Sequence, residues 1–158
     1  HGITPESVRK SIRELLESPG HVVTGHAIVR DESAQVRTTV CEQLRDARTQ
    51  VIITTGGTGI TSRDDTFEAI DGLLEKRLDG FGELFRMLSF QEIGPSAMMS
   101  RATAGTASRK AIFVLPGSPH AVRLAMTRLI LPELGHVVQQ LGRCGRFECT
   151  RCTLDPER

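Results

Sequence analysis

The run Thr54-Thr55-Gly56-Gly57-Thr58-Gly59, with Arg63-Asp64-Asp65-Thr66 close behind it, is the part of this sequence best suited to chemistry. Glycines let the backbone take positive φ and approach a ligand closely, and threonine hydroxyls can bond phosphate or the polar atoms of a ring. A basic side chain can hold an anion while a carboxylate holds Mg²⁺ beside it, which is the minimum kit for phosphoryl or nucleotidyl transfer. A turn that merely joins a strand to a helix would use the same glycines, and Asp64 or Asp65 could cap the helix that follows. The expectation is that one of these two aspartates caps and the other faces the ligand.

A second loop, Leu115-Pro116-Gly117-Ser118-Pro119, also leads from a strand towards a helix. Its prolines pre-set the backbone, and Ser118 can cap the helix while its hydroxyl stays near an anion at that terminus. Asp31 is a third carboxylate at a strand exit, where an aspartate also commonly forms a turn. His120 and His136 fall in helical stretches, and no G-x-S-x-G or Walker sequence occurs. What remains is a mechanism of positioning and charge neutralisation.

The elements that must hold these loops can be read from apolar spacing. Val8, Ile12, Leu15 and Leu16 predict a helix from Pro5 to Leu16, stopped by Ser18-Pro19-Gly20. His21 to Val29 reads as a strand, and Ser33 as the N-cap of a helix striped by Val36, Val40, Leu44 and Ala47. Val51-Ile52-Ile53 has the continuous β-branched character of a strand buried on both faces. Thr66 could cap a helix through Leu74, another helix covers Glu83 to Phe90 before Gly94-Pro95, and a further one could begin near Ala97. Arg101 to Thr106 and Lys110 to Leu115 read as a strand pair, followed by helices over His120 to Ile130 and Pro132 to Leu141. Alternating strands and helices predict a three-layer αβα domain, a mainly parallel sheet with helices on both faces.

Length and charge narrow the functions. At 158 residues the chain fits one domain, expected over 1–142, with a tail over 143–158. Twenty basic against nineteen acidic side chains leave a net charge of +1 and no field that would draw it to nucleic acid or an anionic membrane. No run approaches the roughly 20 apolar residues that cross a bilayer, and the start lacks the parts of a secretory signal, so a cytoplasmic setting is expected. Cys144, Cys149 and Cys152 give a C-x4-C-x2-C spacing that lacks an evident fourth metal ligand; reduced thiols on a poorly ordered tail are expected there.

Several motifs in order identify a resemblance: Ile53 through Gly59, Arg63-Asp64-Asp65-Thr66 with Glu68-Ala69, Gly80-Phe81-Gly82-Glu83-Leu84-Phe85-Arg86, Ser100-Arg101-Ala102, and Leu115 through Pro119. From about Gly20 to Leu141 the chain resembles the MoaB/MogA family of molybdopterin-binding proteins. The resemblance implies an αβα domain that binds molybdopterin and, in active members, Mg-ATP, moving AMP onto the terminal phosphate of the pterin with loss of pyrophosphate. Substrate would then be bound by Thr54, Thr55, Gly56, Gly57, Thr58, Gly59, Ser100, Arg101, Pro116, Gly117 and Ser118. Catalysis would fall to Asp64 and Asp31, with Mg²⁺ on Asp64. A homotrimer, or a hexamer made of two, is implied as well.

Members of that family usually open with a hydrophobic strand, a Ser-Asp motif and an Asp-x-Ser-Gly segment that enters the first helix. Here His1-Gly2-Ile3-Thr4 stands where that segment ends; either the sequence begins after a disordered loop, or the opening strand was lost, which would remove nucleotide-side contacts and weaken the sheet. Three readings stay open from sequence: a molybdopterin adenylyltransferase, a non-catalytic molybdopterin-binding or scaffold member, and a nucleotide-hydrolysing relative.

Overall fold

The computed structural model describes residues 4–142. It opens with helix α1 (Pro5–Glu17), where Pro5 needs no amide partner and Thr4 and Ser7 cap each other through reciprocal side-chain bonds of 3.3 Å. Helix α2 (Ser33–Arg45) buries Val36, Val40, Cys41 and Leu44. The Lys110 ammonium donates to the Gln43 carbonyl at 3.0 Å and to that of Asp46, covering the end of α2, and its burial lowers its pKa. Strand β1 (Val51–Thr55), helix α3 (Thr66–Asp71), the short strand β2 (Lys76–Arg77) and helix α4 (Asp79–Ile93) follow. A 3-10 stretch, Gly94–Met99, leads to strands β3 (Thr103–Ala107) and β4 (Lys110–Leu115). Helix α5 (Pro119–Ala125) runs through a π turn, Met126–Ile130, into helix α6 (Leu131–Gly142).

The sheet has the order β1-β4-β3-β2 and is mixed. β1 runs parallel to β4, with Ile53 opposite Phe113 and Thr55 opposite Leu115, while β3 is antiparallel to both β4 and β2. The parallel pairing expected through the sheet is thus confined to β1 and β4. The β3–β4 hairpin turns on Ser108 and Arg109, both at positive φ (49° and 62°), the twist that a two-residue hairpin requires.

Helices cover both faces, and β4 shows why. Ala111, Phe113 and Leu115 point into a core shared with Val8 of α1, Phe81, Phe85 and Leu88 of α4, Val122 of α5 and Leu134 of α6. Ile112 and Val114 point the other way, into a core with Val36, Val40 and Leu44 of α2 and Ile70 of α3. Phe113 meets Phe81 edge to face, centroids 5.3 Å apart.

Several expectations are corrected. His21 to Val29 forms no strand: Val22 is 84 % and Ile28 69 % exposed, and β1 pairs with β4 alone among the described residues. β-branched composition favours extended backbone, but a strand exists only where a neighbour supplies the ladder. For the same reason β1 is an edge strand, with Ile52 buried but Val51 and Ile53 only partly so. Ser33 begins α2 without capping it: Glu32 holds the cap position, and its carboxylate accepts from the Gln35 side chain at 2.7 Å rather than from a helix amide. No α-helix starts near Ala97, where Pro95 and the 3-10 turn lead straight to Ser100. The expected break before Pro132 is absent, because a proline in the first turn of α6 lacks only an amide that the turn can spare. β2 was not foreseen; two exposed residues leave no apolar pattern. Cys41 is disulfide-bonded, and the expectation for the tail thiols lies outside the described residues. Among the described residues no helix is long and apolar enough to cross a membrane.

Phe85 is 1 % exposed at the centre of the larger core. Phe85→Ala is expected to lower stability by about 3–5 kcal/mol, read as a fall in the urea midpoint at unchanged slope.

Candidate functional site

Because β1 and β4 run in the same direction, the loops that leave them emerge at one end of the sheet. They abut there: the Gly56 amide donates to the Leu115 carbonyl at 3.0 Å. A Cβ on Gly117 would come within 3.3 Å of the Gly56 Cα. Gly56 and Gly57 take φ of +91° and +64°, which reverses the chain out of β1. A Cβ on Gly57 would meet the Thr66 hydroxyl at 2.2 Å and an Asp31 oxygen at 2.5 Å, so only glycine lets α3 begin so close. Among the described residues no acceptor takes the Gly57 or Thr58 amide, and the Thr54 hydroxyl is buried without a hydrogen bond.

Asp31 reaches this loop from far back in the chain. Its Oδ1 accepts from the amides of Asp65 (3.2 Å) and Thr66 (3.0 Å) and from the Thr66 hydroxyl (2.8 Å). Asp31 is therefore the cap of α3. The expectations that Thr66, Asp64 or Asp65 would cap this helix are corrected: Thr66 is its first residue and donates its hydroxyl, and Asp65 makes no side-chain bond to it. The remote carboxylate occupies the place that a local one would fill.

Asp64 is free for another role. Its Oδ2 accepts from the Thr61 hydroxyl at 2.6 Å and the Thr61 amide at 2.9 Å. Those two bonds, the hydroxyl first, hold its pKa below the usual carboxylate value, with smaller help from the Gly59 amide and the charge of Arg101. A half-buried, ionised carboxylate thus borders the glycine loop. Gly59 passes against it, since a Cβ there would sit 2.6 Å from Oδ2.

Arg101 faces the same loop. Its Nε donates to the Thr58 carbonyl at 3.2 Å and its Nη2 to the Asp64 carbonyl at 3.2 Å and to that of Gly59. Nη1 pairs with Glu68, whose pKa that bond lowers, and the guanidinium lies 4.8 Å over the Phe67 ring. The neighbouring Ser100 hydroxyl accepts from the Ala102 amide at 3.3 Å. Ser118 caps α5 as expected, its Oγ accepting from the Ala121 amide at 3.1 Å. The fold thus gathers Thr54 to Gly59, Asp31, Asp64, Arg101 and Pro116 to Ser118 at one sheet end. Sequence reasoning missed Thr61, Phe67 and Glu68, which hold the acid and the arginine. The Thr61-x-x-Asp64 spacing of a side-chain-closed turn was the available signal for the first.

Among the described residues no three His, Cys, Asp or Glu side chains converge as a metal cage. Mg²⁺ does not need one, being commonly held by one or two carboxylates together with substrate phosphates. The ionised Asp64 beside unpaired loop amides fits that division.

An αβα domain with two strand-to-helix loops side by side at one end of a parallel strand pair is the class that fold and site define. The chain belongs to the MoaB/MogA family: the model described as "Probable molybdopterin binding domain" matches residues 1–136. It is 51 % identical over 133 residues to molybdenum cofactor biosynthesis protein B of Bacillus cereus, covering 84 % of this chain and 79 % of that protein. A crystal structure of a molybdenum cofactor biosynthesis protein B superposes with a TM-score of 0.85 at 49 % identity, covering 89 % of each chain. The MoaB of Pyrococcus furiosus, described as a tungsten cofactor synthesizing protein, gives 0.75 at 36 % identity, over 84 % of this chain and 82 % of that one.

The Asp64 carboxylate contributes stability above its unfolded value of 3.8, and that contribution is lost as pH falls through its lowered folded pKa. Thr61→Val removes the largest cause of the shift and is expected to raise the Asp64 pKa towards the ordinary value. Carboxyl-carbon NMR over a pH titration reads this directly.

Proposed function

We propose that this chain serves molybdenum cofactor biosynthesis by binding molybdopterin and transferring AMP from Mg-ATP to its terminal phosphate. The observation that carries the reading is the ionised Asp64 set beside a glycine loop with unpaired amides, where the two strand-exit loops abut. The names and similarity of the family relatives support the pterin as ligand.

In this reading Gly56 to Gly59 and the Pro116 to Ser118 loop form the two walls of the site. The Gly57 and Thr58 amides donate to phosphate oxygens, and Thr54, Thr55 and Ser118 offer hydroxyls. Asp64 holds Mg²⁺, which when bound neutralises charge on the phosphates and on the departing pyrophosphate. The pterin phosphate oxygen bonds to the α-phosphorus of ATP as the bond from that phosphorus to the β-bridging oxygen breaks; that electron pair leaves with pyrophosphate. Asp31 steadies α3 through one oxygen, while its other accepts from no described residue and is available on the nucleotide side.

Titration calorimetry with molybdopterin, with and without Mg-ATP, tests the reading: wild-type protein is expected to bind pterin and release pyrophosphate only when both substrates are present. Asp64→Asn is expected to keep pterin binding and lose on the order of 10²-fold in turnover; wild-type-like turnover in that variant refutes the role of Asp64. Binding with no turnover would select a non-catalytic member, and pyrophosphate release without pterin a nucleotide hydrolase.

A homotrimer or hexamer belongs to the same proposal. α4 and the 3-10 stretch leave Leu84, Met87, Phe90, Ile93, Met98 and Met99 in solvent, each about half exposed or more, a surface whose burial against another copy would be favourable. Met87→Asp with Phe90→Asp is expected to reduce the assembly to smaller species by light scattering after gel filtration, without loss of helical circular dichroism.

A further inference from the structure

Arg101 stands among residues expected to bind substrate, yet most of its donors point elsewhere. A guanidinium has five N–H groups. One goes to Thr58, two to Gly59 and Asp64, and one to Glu68, all within the protein. One face of the planar group lies over Phe67. Thr58 and Gly59 sit at the start of the loop and Asp64 at its end, so one rigid plane ties both ends together. The segment that carries Arg101 is itself held, because Arg86 of α4 donates to the carbonyls of Ser100 at 3.4 Å and Ala102 at 3.1 Å.

We propose that Arg101, oriented by Glu68, is a positioning residue that clamps the 58–64 loop and acts on the ligand only by fixing that loop. This rests on the reading of the glycine loop as the pterin and nucleotide site. Glu68 offsets the charge of Arg101, which leaves the neighbourhood of Asp64 suited to a cation rather than to a second phosphate. Lysine could not replace Arg101, since a compact ammonium cannot bridge three carbonyls and lie flat on a ring.

The two possible roles of Arg101 predict opposite signs for Glu68→Gln. If Arg101 gripped a phosphate directly, removing its acidic partner would free the guanidinium and tighten molybdopterin binding. If it positions the loop, the same change loosens the clamp, and binding weakens by roughly tenfold, the scale of one lost charge-assisted bond. Amide hydrogen exchange on the whole chain supplies a readout that does not depend on ligand. In Glu68→Gln and Arg101→Lys, the hydrogen-bonded Thr61 and Asp64 amides are expected to exchange roughly tenfold faster while β4 keeps its protection; a merely structural loss would raise exchange in β4 as well. Unchanged exchange at the Thr61 and Asp64 amides, or tighter binding by Glu68→Gln, overturns the proposal. Should Arg101→Lys not fold, Glu68→Gln alters a side chain that is 56 % exposed and carries the test alone. Should the wild type bind no molybdopterin, the ligand reading fails while the exchange data still judge the clamp.

Discussion

The parallel pairing of β1 against β4, the single one among the described residues, is the constraint from which the site follows. Antiparallel neighbours would send their outgoing loops to opposite ends of the sheet; parallel ones send them to the same end. The register sets Thr55 level with Leu115, so the two loops start flush and meet at once through Gly56 and Gly117. A side chain at Gly117 would press on the Gly56 backbone, and a slip of one residue between the strands would undo the alignment. The antiparallel remainder of the sheet, β3 and β2, serves mainly to hold β4 in the middle, where both of its faces are buried.

Around that junction the charged side chains divide their duties. Asp31 gives one oxygen to the start of α3, Glu68 orients Arg101, and Arg101 binds loop carbonyls. Arg86 in turn holds the strand entry that bears Arg101. Asp64 differs from these, because the groups that hold it are a hydroxyl and an amide rather than a cation. It therefore remains ionised with its negative charge uncancelled by a direct partner, the state a divalent cation needs in a ligand. Such bonds at half-exposed positions contribute little to global stability. Their value lies in fixing where an acid and a set of amides stand relative to each other.

How much of this could be read from residues alone depended on the range of the interaction. α1, α2, α4 and the β3–β4 hairpin came from local apolar spacing and proline or glycine punctuation, which act within a few residues. The glycine loop and the Pro116 to Ser118 loop were legible as chemistry because their residue types are unusual at strand ends. Distance in the chain defeated the rest. Nothing near Thr66 hints that its helix is capped by Asp31, thirty-five positions earlier, nor that Arg101 would bridge carbonyls at Thr58 and Asp64. The segment from His21 to Val29 shows the reverse failure: its composition suits a strand, but pairing depends on a neighbour that composition does not reveal.

The continuous helical run from α5 through the π turn to α6 closes a mechanical circuit. Ser118 fastens its near end beside the two strand-exit loops, and Arg109, in the β3–β4 turn, grasps its far end through the Leu141 and Gly142 carbonyls. β4 spans the same two points, so strand and rod brace each other like the sides of a frame. Inserting one residue within the rod itself, between Val122 and Met126, would turn everything beyond it by about 100° relative to the part seated at Ser118, carrying Met126 and Leu134 off the core together. The length of the rod is thus fixed by its two fastened ends as much as by the core it covers.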